Sequence, residues 1–299
     1  EASAKAVISG TDVECGYEYR TLPDAVKAGL ISEQQIDVSV KRLLEARFEL
    51  GDFDNDSLVE WTRIPESVVA CKEHKDLALQ MAREQMVLLH NRNNILPLKK
   101  DASRIMVMGP NAADSTMLWG IYFGQPTHTV TILEGIEAKI GKVAYEKACD
   151  ITDMTVTESA AAGSSEAADG STTLNMNVLS TRTNTLSDVL AKASDAETII
   201  FVGGISPNLE REEAKTNKPG FDKGDRTTIE LPQVQRDIIK ALHDAGKKIV
   251  LVNCSGSAVA LTPELETCDA ILQAWYAGEQ GGHAVADVLF GDYNPSGKL

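Results

Sequence analysis

Three carboxylates crowd one loop, Glu210, Glu212 and Glu213, inside the stretch NLEREEAKTNKPGFDKGDRTTIELP from Asn208 to Pro232. The stretch follows the apolar run TIIFVGG (Thr198 to Gly204) and precedes the amphipathic ELPQVQRDIIKALHDAG. A charge run on a loop is ordinarily a solvated face. A loop leaving the end of a buried strand can instead hold one carboxyl group out to exchange a proton with a bound ligand. Residue types alone leave both readings open. Further along, Asp225 and Arg226 could pair bidentately, which reads as a latch on the loop's return rather than as catalysis. Trp119, Tyr122 and Phe123 in MLWGIYFGQPTHT offer flat faces for stacking on a sugar, or equally for packing their own loop.

Other chemistries find no footing. VMGPNAADS lacks both GxGxxG and GxxxxGK[ST], so a dinucleotide or phosphate cradle is not indicated. Ser255 and Ser257 in NCSGSAV are not framed as GxSxG, and no His is placed to activate them. His74, His90, His128, His243 and His283 have no ligand spacing, and the five cysteines form no CxxC pair. No metal and no organic cofactor is expected. A net charge of −15 lacks the basic footprint of a nucleic-acid binder. That charge also disfavours anionic ligands, so a neutral substrate fits better. No apolar run reaches the roughly 18–20 residues that span a bilayer.

The elements that must position these residues can be read from periodicity. ISEQQIDVSVKRLLEARFELGDFD is a helix with Ser32 as N-cap, Gly51 as stop, and a stripe of Ile36, Val40, Leu43, Leu44 and Phe48 that needs a partner surface. ESVVACKEHKDLALQMAREQMVLLHN reads as a second helix. From RIMVMGPNA onward, apolar strands alternate with helices: TILEGIEAKIG, KVAYEKAC, TLSDVLAKASDAE, TIIFVGG, ELPQVQRDIIKALHDAG, KKIVLVNCSGS, TPELETC, AILQAWYAG and QGGHAVADVLFG. Such alternation predicts an α/β fold, a mostly parallel sheet with helices on both faces, binding its ligand at the carboxyl ends of the strands. Thr152 to Thr183, rich in Ala, Ser and Thr, reads as a surface insertion. The chain opens without Met inside a helical pattern and stops at NPSGKL, and reads as a piece of a longer protein.

ISGTDVECG, AVKAGLISEQQIDVSVKRLLEARFELGDFD, LALQMAREQMVLLHNRNNILPLKK, VMGPNAADSTMLWGIYFG, GDRTTIELPQVQRDIIKAL, VLVNCSGSAVAL and AILQAWYAGEQGGHAVADVLFGDYNPSGKL, in that order, resemble glycoside hydrolase family 3. TDVECG and GGISPNLEREE look more like its β-xylosidase than its β-glucosidase branch. The resemblance implies a (β/α)8 barrel followed by an α/β sandwich. Residues 1–60 would be the helical end of the barrel and a linker, and residues 61–299 the sandwich. It also implies a retaining, exo-acting β-glycosidase that removes β-linked xylose or glucose from non-reducing ends, exported to the periplasm or secreted. Its two carboxyl groups would stand about 5–5.5 Å apart. The family's nucleophile is an aspartate in SDW or SDC, absent here and so expected upstream of Glu1. The general acid/base is expected on the opening loop, with Glu210 first and Glu212 second. Glu14 of TDVECG, Trp119 and Tyr122 would contact the substrate. Without the barrel the chain should be inactive, and its helical stripe could drive a non-biological self-association. The competing reading is a non-catalytic carbohydrate-binding or structural module.

Overall fold

Period-two alternation in the apolar runs sorts their side chains onto two faces, and the larger part of the chain is built on that sorting. A computed structural model describes residues 1–166, 172–210 and 216–299. It divides into two units, Glu1–Val69 and Ala70–Leu299. The first holds helices α1 (Ala2–Ile8), α2 (Leu22–Lys27) and α3 (Glu33–Glu49). The second holds α4 (Lys72–Gln85), β1 (Val87–Asn91), β2 (Ile105–Met108), α5 (Ile132–Ile140) and β3 (Ala144–Glu146), followed by β4 (Thr155–Glu166) and β5 (Thr172–Thr183). Then come α6 (Leu186–Lys192), β6 (Thr198–Gly204), β7 (Phe221–Asp222), β8 (Asp225–Arg226), α7 (Gln233–Asp244) and β9 (Lys248–Cys254). The last elements are α8 (Glu264–Thr267), β10 (Ala270–Gln273) and α9 (Gly281–Leu289).

The main sheet runs β1-β10-β9-β6-β2-β3, parallel throughout except for the β1/β10 pair. Val107, Ile200, Val202, Val250 and Val252 face one core, closed by α4, α5 and α9. Their neighbours Met108, Ile199, Phe201, Ile249 and Leu251 face the other, closed by α6 and α7. This is the mostly parallel sheet with helices on both faces that the alternation predicts, and the α/β sandwich that the resemblance implies. All ten side chains are fully buried, and each such burial stabilises by roughly 1.5–3 kcal/mol. On the first face α5 and α9 cross in contact: a β-carbon at Gly135 would lie 2.0 Å from the Gly282 carbonyl oxygen, so only glycine fits.

One expectation is corrected. The helix predicted to run to Asn91 ends at Gln85, and Val87–Asn91 is an edge strand antiparallel to β10. The open edge of β10 offers those residues a ladder of hydrogen bonds, which outweighs a weak local preference for helix. The Ala/Ser/Thr-rich insertion forms the hairpin β4–β5. Arg182 at its base donates to Glu146 Oε1 on β3 at 2.7 Å. In the first unit, Ser32 and Gln35 form a reciprocal capping box at the start of α3. Ile36 packs on a small core of Ala4, Val7, Leu22, Ala25 and Ile31. Val40, Leu43, Leu44 and Phe48 remain 39–63% exposed on an ordered helix. Among the described residues, no helix is long and apolar enough to cross a membrane.

Candidate active site

Strand order reverses between β2 and β6: β3, which follows β2, lies on one side of it and β6 on the other. In open α/β sheets ligands bind outside the carboxyl ends of the strands, next to such a reversal. The segments leaving β6, β9 and β10 bring Glu210, Ser257 and Tyr276 together, and Asn208 beside them donates to Thr116 Oγ1, on the segment after β2, at 3.3 Å.

Glu210 sits on a turn whose main chain is tied from several directions. Ile205 N donates to the Cys254 carbonyl at 2.9 Å, continuing the ladder past β6. Buried Asn111 donates from Nδ2 to the Ile205 carbonyl at 3.1 Å. Leu209 N and Glu210 N both donate to the Ser206 carbonyl, at 2.9 and 3.2 Å. Beneath the turn the fully buried Gln235 accepts from Gly204 N and donates to the Gly204 and Ile151 carbonyls, each at 2.8 Å. The Glu210 side chain is half-buried. Its Oε1 accepts from Ser257 Oγ at 2.5 Å, and its Oε2 accepts from the Tyr276 hydroxyl at 2.8 Å.

Tyr276 reaches that position because the chain bends sharply after β10, with Trp275 at φ +58°. The segment AILQAWYAG, expected to be strand throughout, is strand only to Gln273. The Tyr276 ring lies against the backbone of Gly256. Burial first, and the neighbouring Glu210 charge second, push the phenol far above its usual range, so it keeps its proton. Arg226 donates from Nη1 to Ser257 Oγ at 3.2 Å and to the Ala258 carbonyl, and from Nη2 to the Glu230 carbonyl at 3.2 Å. The latch read at this arginine therefore closes on the β9 loop and not on the Asp225 carboxylate.

The other residues singled out in the sequence are dispersed. Glu212 and Glu213 lie outside the described residues. Glu14 belongs to the first unit, where its Oε1 accepts from Tyr19 N at 3.0 Å. Trp119 is half-buried, donates to Thr129 Oγ1 at 2.7 Å, and stands with Phe123 at a ring separation of 4.8 Å. Tyr122 is 97% exposed and held at φ +57°. Sequence reasoning missed Tyr276, Asn111 and Gln235, and weighed Ser257 only as a nucleophile. The signal that could have found Asn111 and the role of Ser257 is position, since both follow the carboxyl ends of parallel strands. Burial pushes the thiols of Cys149, Cys254 and Cys268 up to about 12, consistent with inert packing. Among the described residues no group of three or more His, Cys, Asp or Glu could hold a metal ion.

A family model described as the glycosyl hydrolase family 3 C-terminal domain matches residues 86–299. A xylan 1,4-beta-xylosidase from Xylanibacter ruminicola is 39% identical over 416 residues, covering 99% of this chain and 48% of that protein. A periplasmic beta-glucosidase from Salmonella typhimurium is 33% identical, covering 100% of this chain and 38% of that protein. Among solved structures, a beta-glucosidase from Erythrobacter marinus is 32% identical with a TM-score of 0.77, covering 100% of this chain and 39% of that one. An exo-beta-xylosidase in complex with a xylobiose aziridine probe is 28% identical, also with a TM-score of 0.77, covering 100% of this chain and 34% of that one. The chain thus spans less than half the length of these relatives.

Proposed function

The chain belongs to glycoside hydrolase family 3, and on that footing we propose that it supplies the general acid/base of a retaining, exo-acting β-glycosidase, with Glu210 as that group. The substrates are β-linked xylosides or glucosides, cleaved from non-reducing ends. The carboxylate nucleophile comes from a barrel domain preceding this chain in the same protein. The observation that carries the reading is the position of Glu210: half-buried past the carboxyl end of β6, on a turn fixed by backbone hydrogen bonds, with its side chain held between Ser257 and Tyr276. Relatives named as β-xylosidases and a β-glucosidase support the substrate class.

The chemistry follows from two half-reactions. In the first, Glu210 protonates the glycosidic oxygen as the nucleophile attacks the anomeric carbon and the aglycone departs. In the second, the Glu210 carboxylate takes a proton from water as that water displaces the enzyme carboxylate and releases the sugar. Glu14 and the Trp119 and Tyr122 rings are proposed as substrate contacts, and Glu212 is the second candidate for the acid/base.

The test uses the full-length enzyme that contains this chain. Glu210→Ala should lose roughly 10²–10⁴-fold on substrates with poor leaving groups and far less on dinitrophenyl glycosides, which need little protonation. Added azide should restore turnover of the activated substrate by attacking the glycosyl-enzyme. Equal losses on both substrates would reject Glu210, and the same pattern in Glu212→Ala would transfer the role. The 299-residue chain alone should release no nitrophenol from aryl β-xylosides or β-glucosides.

A further inference from the structure

We infer that Tyr276 and an Arg226-backed Ser257 are positioning residues for the acid/base, a clamp that fixes the carboxyl plane of Glu210; the inference rests on the role proposed for Glu210.

Proton directions make it a clamp rather than a pair of casual contacts. A guanidinium can only donate. Arg226 Nη1 occupies one acceptor site of Ser257 Oγ, leaving the single hydroxyl proton of Ser257 to point at Glu210 Oε1. On the other side, the phenol proton of Tyr276 points at Glu210 Oε2, because an ionised carboxylate can only accept. Each carboxylate oxygen therefore receives one hydrogen bond, from opposite neighbours. Each oxygen also retains a further lone pair, through which a proton can pass to a leaving group or return from water.

The loop's own path closes the arrangement. Its outgoing limb carries Glu210. Its return, through β7 and β8, brings Arg226 onto the serine that holds Glu210, and Ala260 N donates to the Ile229 carbonyl at 2.8 Å to seal the two segments. The clamp thus keeps the Glu210 carboxyl group in one orientation through both proton transfers.

In the full-length enzyme, kcat/KM is measured for Tyr276→Phe, Ser257→Ala and Glu210→Ala across aryl glycosides of graded leaving-group acidity. Phenylalanine keeps the ring in place, so loss of fold does not confound that variant. Tyr276→Phe and Ser257→Ala should each fall roughly tenfold on the poorest leaving group, a part of the full general-acid effect, and less than about threefold on the best. If Glu210→Ala itself shows no dependence on leaving group, the acid/base reading has failed. If it does while both clamp variants fall equally on every substrate, or not at all, the clamp is overturned and Glu210 keeps its role.

Discussion

The backbone of Gly256 lies against the ring of Tyr276 so closely that a β-carbon there would stand 2.8 Å from Cε2. The SGS sequence after β9 therefore leaves room for a side chain arriving from the end of β10. In Gly256→Ala the ring must shift, and with it the hydroxyl that reaches Glu210. Overpacking of this kind costs about 1–3 kcal/mol. Urea unfolding of the 299-residue chain should show that loss, and an unchanged midpoint would mean the ring has space the structure does not show.

Gln235 is a second point where one side chain carries several backbone groups. Gln235→Leu keeps its bulk but leaves Gly204 N and the Gly204 and Ile151 carbonyls without this partner. Each buried group left unpaired costs about 1–3 kcal/mol, so a total on the order of 3 kcal/mol is expected. A loss under about 1 kcal/mol by denaturant titration would show that water replaces the amide.

Tyr122 separates binding from stability. At 97% exposure it contributes nothing to the core, and Tyr122→Ala should move stability by no more than about 0.5 kcal/mol. In the full-length enzyme the same change should raise KM several-fold if the ring stacks on substrate. An unaltered KM would remove Tyr122 from the site.

Acid should weaken the second unit through Asp292, where hydrogen bonds from Lys100 and Lys139 hold the carboxyl at about 2, down from 3.8. A depressed carboxylate stabilises the fold above its unfolded value, and that contribution disappears as pH falls through the folded value. The melting temperature of the native chain should exceed that of Asp292→Asn at neutral pH, and the gap should close between pH 3.8 and about 2. A gap constant across that window would show that the carboxylate's pairing plays no part in it.

Legibility in the sequence followed the range of the interactions. Ser32 caps α3 from within its own first turn, and the alternation within Thr198–Gly204 or Lys248–Cys254 is local, so both were readable. Val87–Asn91 was not, because a short apolar run at a helix end looks the same whether it coils on or pairs with a strand. Glu210 could be placed by its distance from a strand end and by family resemblance. Tyr276 could not: its neighbours read as continuous strand, and the carboxylate it serves is 66 residues away. Ser257 was visible, but its direction of donation depends on Arg226, 31 residues distant.

The edge strand β1 also sets the order of events during synthesis. It pairs with β10, and Trp275 Nε1 reaches back 190 residues to the carbonyl of Gln85 just before it. Arg83 likewise donates to Asp287 across 204 residues. At a ribosome's usual pace of about 5–20 residues per second, the first strand emerges roughly 10–40 s before the neighbour it must pair with. Until then Val87 to Asn91 is an apolar segment with open backbone groups, the kind that recruits other chains. Nascent chains that stall short of Gln273 should therefore be the ones that depend on a chaperone.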